Sequence, residues 1–67
     1  MTNPISRRFT PKEERIIVLV AEGLKNKEIA GIVGTTEGGV KNYLKTIFDK
    51  TGMGTRLELA LWYIKGT

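Results

Sequence analysis

Asn26-Lys27-Glu28-Ile29-Ala30-Gly31-Ile32-Val33-Gly34-Thr35-Thr36-Glu37-Gly38-Gly39-Val40-Lys41-Asn42-Tyr43-Leu44-Lys45-Thr46-Ile47-Phe48-Asp49-Lys50 is the stretch that decides the architecture of this chain. Its first part predicts a short helix: Asn26 is a good N-cap, and Ile29, Ala30, Ile32 and Val33 fill about two turns before Gly34 ends it. Gly34-Thr35 predicts a tight turn, with Thr36 capping a longer helix. Along that helix Val40, Leu44, Ile47 and Phe48 fall on one face, while Lys41, Asn42, Lys45 and Asp49 fall on the other. A short helix, a glycine turn and a longer helix make a helix-turn-helix. Gly34 lets the chain reverse so that Ala30 and Val40 can meet between the crossed helices.

Working outward, the same devices recur. Thr10-Pro11-Lys12-Glu13 offers an N-cap, a proline at the first helical position and a glutamate placed for a capping box. Ile16, Ile17, Leu19, Val20 and Leu24 then recur at three- and four-residue spacing, and Gly23 supplies a left-handed stop. On the other side Thr55-Arg56-Leu57-Glu58 reads as a second capping box. It opens a helix through Leu59, Ala60, Leu61, Trp62, Tyr63 and Ile64, with Lys65 near its negative end. Met1 to Arg8 have no period and read as a basic N-terminal arm, leaving residues 9–67 as one all-α domain of four helices. The last helix is apolar almost all round, more than a small core can use. That surplus predicts a twofold contact between copies through Leu59, Trp62 and Tyr63.

Composition narrows the function. The chain has 67 residues, enough for one small domain and too few for a deep substrate cleft between domains. It holds no cysteine and no histidine, which excludes disulfides, zinc fingers and imidazole chemistry. No apolar run exceeds six residues, as in Ile16 to Ala21, far short of a membrane span, and the N-terminus lacks a signal-peptide pattern. Eleven Lys+Arg against seven Asp+Glu give a net charge of +4. A small basic chain of this kind suggests a cytoplasmic protein with an anionic partner. The carboxylates sit at capping or exposed positions, and neither a phosphate loop after a strand nor metal-ligand spacing occurs. No enzyme, cofactor or metal is expected.

In a helix-turn-helix the second helix enters the DNA major groove, so its outer face must carry donors toward phosphates and base edges. At these residues the chain resembles the DNA-binding domain of the LuxR/FixJ/NarL (GerE-type) regulators. The resemblance is carried by Phe9-Thr10-Pro11-Lys12-Glu13-Glu14-Arg15, by Val20 to Ala30, by Thr36 to Leu44, by Ile47 to Gly52 and by Thr55 to Ala60. It implies a four-helix domain with Thr36 to Lys50 as recognition helix. By position it implies base reading by Lys41, Asn42 and Lys45, and phosphate contacts from Asn26, Lys27, Thr36 and Lys50. It also implies that the last helix forms the dimer contact. The bottom-up chemistry agrees in part: Asn can pair bidentately with adenine and Lys can donate to guanine, each worth about 1–3 kcal/mol of discrimination.

Several positions depart from the family pattern. Thr35 stands where an aliphatic residue usually packs under the turn, and Gly39 replaces a common Thr that carries a phosphate-contacting hydroxyl. Gly38 and Gly39 weaken the helix start, Gly31 loosens the short helix, and Thr51 trims the core where a leucine is usual. These changes predict marginal stability.

The leading reading is a sequence-specific, dimeric transcription regulator binding double-stranded DNA. The alternative is a small interaction module that sequesters a larger regulator through its apolar last helix. A sigma-factor end domain shares the helix-turn-helix, but the Thr55-to-Ala60 segment favours the GerE type. The opening Met1-Thr2-Asn3-Pro4 slightly favours a free-standing regulator over a piece of a longer one.

Overall fold

The computed structural model describes residues 9–66; the basic arm expected at residues 1–8 lies outside them. Four helices run through the described residues, which contain no strand: α1 (Pro11–Ala21), α2 (Asn26–Val33), α3 (Glu37–Thr51) and α4 (Arg56–Gly66). Helix α1 packs against the other three, and α2 crosses α3. Ile16, Ile17, Leu19 and Val20 from α1 meet Ile29, Ala30, Val40, Leu44, Ile47 and Leu59 in one buried core. Among the described residues, no helix is long and apolar enough to cross a membrane.

Helix α1 starts and stops as its sequence predicts. The Thr10 hydroxyl accepts the Glu13 N–H at 3.2 Å, and the Glu13 carboxylate accepts the Thr10 N–H at 2.9 Å. At the far end Gly23 takes φ +88°, which a side chain would strain. The Leu24 N–H then reaches the Leu19 carbonyl at 3.2 Å and the Gly23 N–H the Val20 carbonyl at 3.0 Å, a Schellman motif. Its apolar partner is Leu24 itself, half-buried against the core.

The turn between α2 and α3 follows the same chemistry. Gly34 adopts the left-handed φ +78°, and the Thr35 N–H closes the helix onto the Ala30 carbonyl at 2.9 Å. Thr36 caps α3, its hydroxyl accepting the Gly39 N–H at 3.0 Å. The start of α2 differs from expectation. Its cap is Lys25, not Asn26, which is the first helical residue. Lys25 has no side-chain acceptor, so half of a capping box remains: its N–H donates to the Glu28 carboxylate at 2.8 Å. The Asn26 side-chain oxygen, one residue inside the helix, instead accepts from Arg56.

Two departures from the family pattern are coupled. A Cβ built on Gly39 would lie 2.2 Å from the Thr35 hydroxyl, whereas one on Gly38 meets nothing nearer than 3.9 Å. Thr35 therefore occupies the space that a side chain at position 39 would need. In helical propensity both glycines cost up to about 1 kcal/mol relative to Ala, less in a first turn. Gly38→Ala should accordingly raise the urea midpoint, and Gly39→Ala should gain less unless Thr35→Ala accompanies it; equal gains from both single changes would refute the coupling. Thr51 compensates in another way for its small size. Its hydroxyl donates to the Phe48 carbonyl at 3.3 Å and accepts the Met53 N–H at 3.2 Å, tying off the end of α3.

An ion pair between a buried carboxylate and an exposed lysine holds α1 to α3. Glu13 is only 4% exposed, and the Lys50 ammonium lies 2.8 Å from its carboxylate. Lys50 also sits over the Phe9 ring, 5.4 Å from its centre, and Phe9 meets Trp62 edge-on at 6.2 Å. Burial pushes the Glu13 carboxyl up. The hydrogen bonds and charge of Lys50, together with the Thr10 donors, outweigh burial and hold it below its ordinary value of 4.5. The folded protein thus binds the Glu13 proton less readily than the unfolded chain does. Stability from this site is complete above the unfolded value and is lost as pH falls through the depressed folded value. Unfolding midpoints should therefore decline below about pH 4.5, the ordinary glutamate range. Glu13→Gln should flatten part of that acid limb; an unchanged limb would contradict the assignment.

Candidate nucleic-acid interface

Helix α3 separates two chemistries cleanly. Val40, Leu44 and Ile47 are buried, while Lys41, Asn42, Lys45, Thr46 and Asp49 are exposed. Lys41, Lys45 and Asp49 form one row at four-residue spacing, and Asn42 and Thr46 form the next. The Thr46 hydroxyl donates to the Asn42 backbone carbonyl at 3.2 Å, and Asn42 itself is exposed. Tyr43, on the opposite flank, is half-buried with the Lys12 ammonium 6.0 Å from its ring centre. This brings a charge from the start of α1 alongside α3.

The Lys41–Lys45 row borders a cleft of about 340 Å³ whose other polar walls are Asn26, Asp49 and Arg56, with Leu44 and Phe48 as apolar lining. Arg56 was not singled out by the sequence beyond its place in the Thr55 capping segment. Its guanidinium donates to the Asn26 side-chain oxygen and, at 2.7 Å, to the Leu24 carbonyl. The capping segment itself is simpler than expected, with the Thr55 hydroxyl accepting the Glu58 N–H at 3.1 Å. Because Arg56 can only donate, its partner on Asn26 must be the oxygen, leaving the NH₂ group free to donate elsewhere.

The expected phosphate-facing residues are placed unequally. Lys27 is exposed in the first turn of α2. Thr36 is exposed at the head of α3, and its hydroxyl, accepting from Gly39, still has a proton to give. Asn26 is half-buried with its NH₂ end available. Lys50 is exposed, and its ammonium pairs with the buried Glu13 carboxylate at 2.8 Å, a partner within the domain that a phosphate would have to share. No local pattern could have revealed this, because the partner lies 37 residues away.

The last helix also needs correction. Leu59, expected in a contact between copies, has no exposed surface and belongs to the core of its own chain. Trp62 and Tyr63 are half-buried beside that core, Trp62 against Phe9. The exposed apolar residues are instead Leu57 at 68%, Leu61 at 46% and Ile64 at 55%. At 3.6 residues per turn these three fall within about 60° of one another, across the helix from Leu59.

A sequence profile of bacterial regulatory proteins of the luxR family matches residues 7–63. The chain belongs to this family. Members of the luxR family are DNA-binding transcription regulators, and the all-α helix-turn-helix seen here is their fold. Among individual relatives, "Response regulator Rre1" of Synechocystis is 44% identical over 57 residues, covering 85% of this chain and 25% of that protein. The "Probable transcriptional regulator ycf29" of Pyropia yezoensis is 40% identical over 57 residues, 85% of this chain and 26% of its own. The "Nitrate/nitrite response regulator protein NarL" of Escherichia coli is 40% identical over 55 residues, 82% of this chain and 26% of that protein. The luxR-family domain described here thus spans about a quarter of the length of these relatives.

Proposed function

We propose that this luxR-family domain binds double-stranded DNA in a sequence-dependent manner as a twofold dimer and regulates transcription in the cytoplasm. The observation that carries this reading is the polar face of α3, where Lys41, Asn42 and Lys45 stand exposed away from the buried Val40, Leu44 and Ile47. A face so placed can enter a major groove without disturbing the core that holds it. Asn42 suits adenine, while Lys41 and Lys45 suit guanine. Lys27, Thr36 and the Asn26 NH₂ group, at the heads of α2 and α3, suit phosphate oxygens, which helix N-termini also attract. Lys50 has a structural duty at Glu13 and is left out of this set.

The exposed stripe Leu57, Leu61 and Ile64 supports self-association through α4, with Trp62 and Tyr63 flanking it rather than at its centre. Such a contact is isologous, so each copy presents the same stripe and the two α3 helices become an inverted pair.

Titration of duplexes against two variants tests the DNA-facing assignments. Lys45→Ala should relax preference at one position of the site, at a cost of about 1–3 kcal/mol for the preferred base. Lys27→Ala should weaken every sequence alike and flatten the salt slope by about one unit. Identical effects of both variants on all sequences would argue against base reading by Lys45.

A further inference from the structure

Arg56 is the first residue of α4, and Asn26 is the first residue of α2. Helix α4 leans chiefly on α1, yet the Arg56 guanidinium crosses to α2, donating to the Asn26 side-chain oxygen and to the Leu24 carbonyl at 2.7 Å. Those two acceptors fix the end of the α1–α2 loop and the start of α2 together. Arg56 also forms one wall of the cleft beside Lys41 and Lys45. Leu57, the next residue in the chain, opens the exposed apolar stripe.

We propose that Arg56 is a positioning residue for DNA binding, acting through Asn26. It holds the α2 start against the Lys41–Lys45 row and sets the Asn26 amide with its oxygen inward and its NH₂ group left to donate. The inference rests on the DNA-binding reading above. It adds that the head of α4, where the stripe begins, is mechanically joined to the nucleic-acid face. A guanidinium is required because its planar fork reaches two acceptors at once; an ammonium of equal charge is a compact point on a shorter reach.

The test compares Arg56→Lys, Asn26→Ala and the double variant with the wild-type domain. Each is titrated against a tightly bound duplex and an unrelated one at two salt concentrations. Arg56→Lys should lose about tenfold in affinity on both duplexes, the scale of one charge-assisted hydrogen bond, with the salt slope unchanged. The double variant should bind no more weakly than Asn26→Ala alone, because both changes cut the same tie. Amide exchange of the free protein gives a second readout: Ile29 and Ala30 should exchange faster in Arg56→Lys, while Leu44 and Ile47 stay protected. Wild-type affinity in Arg56→Lys would overturn the proposal, as would losses that multiply in the double variant, because Arg56 would then act independently of Asn26. If the wild-type domain itself binds neither duplex, the DNA reading fails and the inference falls with it. That outcome is separate from a binding wild type matched by Arg56→Lys.

Discussion

Leu59→Ala is expected to cost about 2–5 kcal/mol, the range for truncating a fully buried leucine. Leu59 has no exposed surface and ties α4 into the core, so its truncation leaves a cavity among the packed side chains. At roughly 0.05–0.15 kcal/mol per residue, the whole domain holds only about 3–10 kcal/mol, so this one change removes much of its stability. Circular-dichroism melts at several protein concentrations check it: the drop in midpoint should be the same at each. Leu61→Ser should do the opposite, leaving the melting of dilute protein little changed while weakening self-association in sedimentation. A Leu59 effect that grows with protein concentration would place that residue at an interface and undo the assignment.

The second large effect concerns salt. A dimer neutralising about 6–10 phosphates should lose roughly 10³–10⁵ in affinity between about 50 and 200 mM salt, because each neutralised phosphate releases condensed counterions. The charges available to do this are specific. Lys27, Lys41 and Lys45 are exposed on the candidate face, and Lys12 lies over Tyr43 at its flank. Lys50 is paired with Glu13, so Lys50→Ala should leave the slope of log affinity against log salt nearly unchanged while lowering stability. A fall in slope of about one unit for Lys50→Ala would return that residue to the phosphate set.

What the sequence revealed follows from how local each interaction is. The Thr10–Glu13 box, the Thr36 cap and the Gly23 and Gly34 stops depend on residues three to five apart, and the structure has each of them as read. The exposed side of α3 was legible for the same reason, since its apolar and polar residues alternate with the helical period. Asn26 was misread as a cap because the group that claims its side chain, Arg56, lies 30 residues away. The Glu13–Lys50 pair was not legible for a similar reason: Glu13 caps α1 as read, but the fold also joins it to Lys50 across 37 residues. In α4 the failure has another cause. With Leu57, Leu59, Leu61, Trp62, Tyr63 and Ile64 all apolar, the pattern has no phase, and only packing decides that Leu59 turns inward while Leu57, Leu61 and Ile64 turn outward. Thr35 and Gly39, which read separately as two defects, turn out to be one accommodation, the threonine hydroxyl lying where a side chain at 39 would be.

The most direct test of the central claim is selection of binding sites from random duplexes by the purified protein, read at low and near-physiological salt beside its sedimentation profile. The account predicts enrichment of an inverted-repeat motif bound by a dimer, with half-sites about one helical turn or a multiple of it apart. Weak binding with no enriched motif, abolished by salt and unaffected by Lys45→Ala, would contradict it.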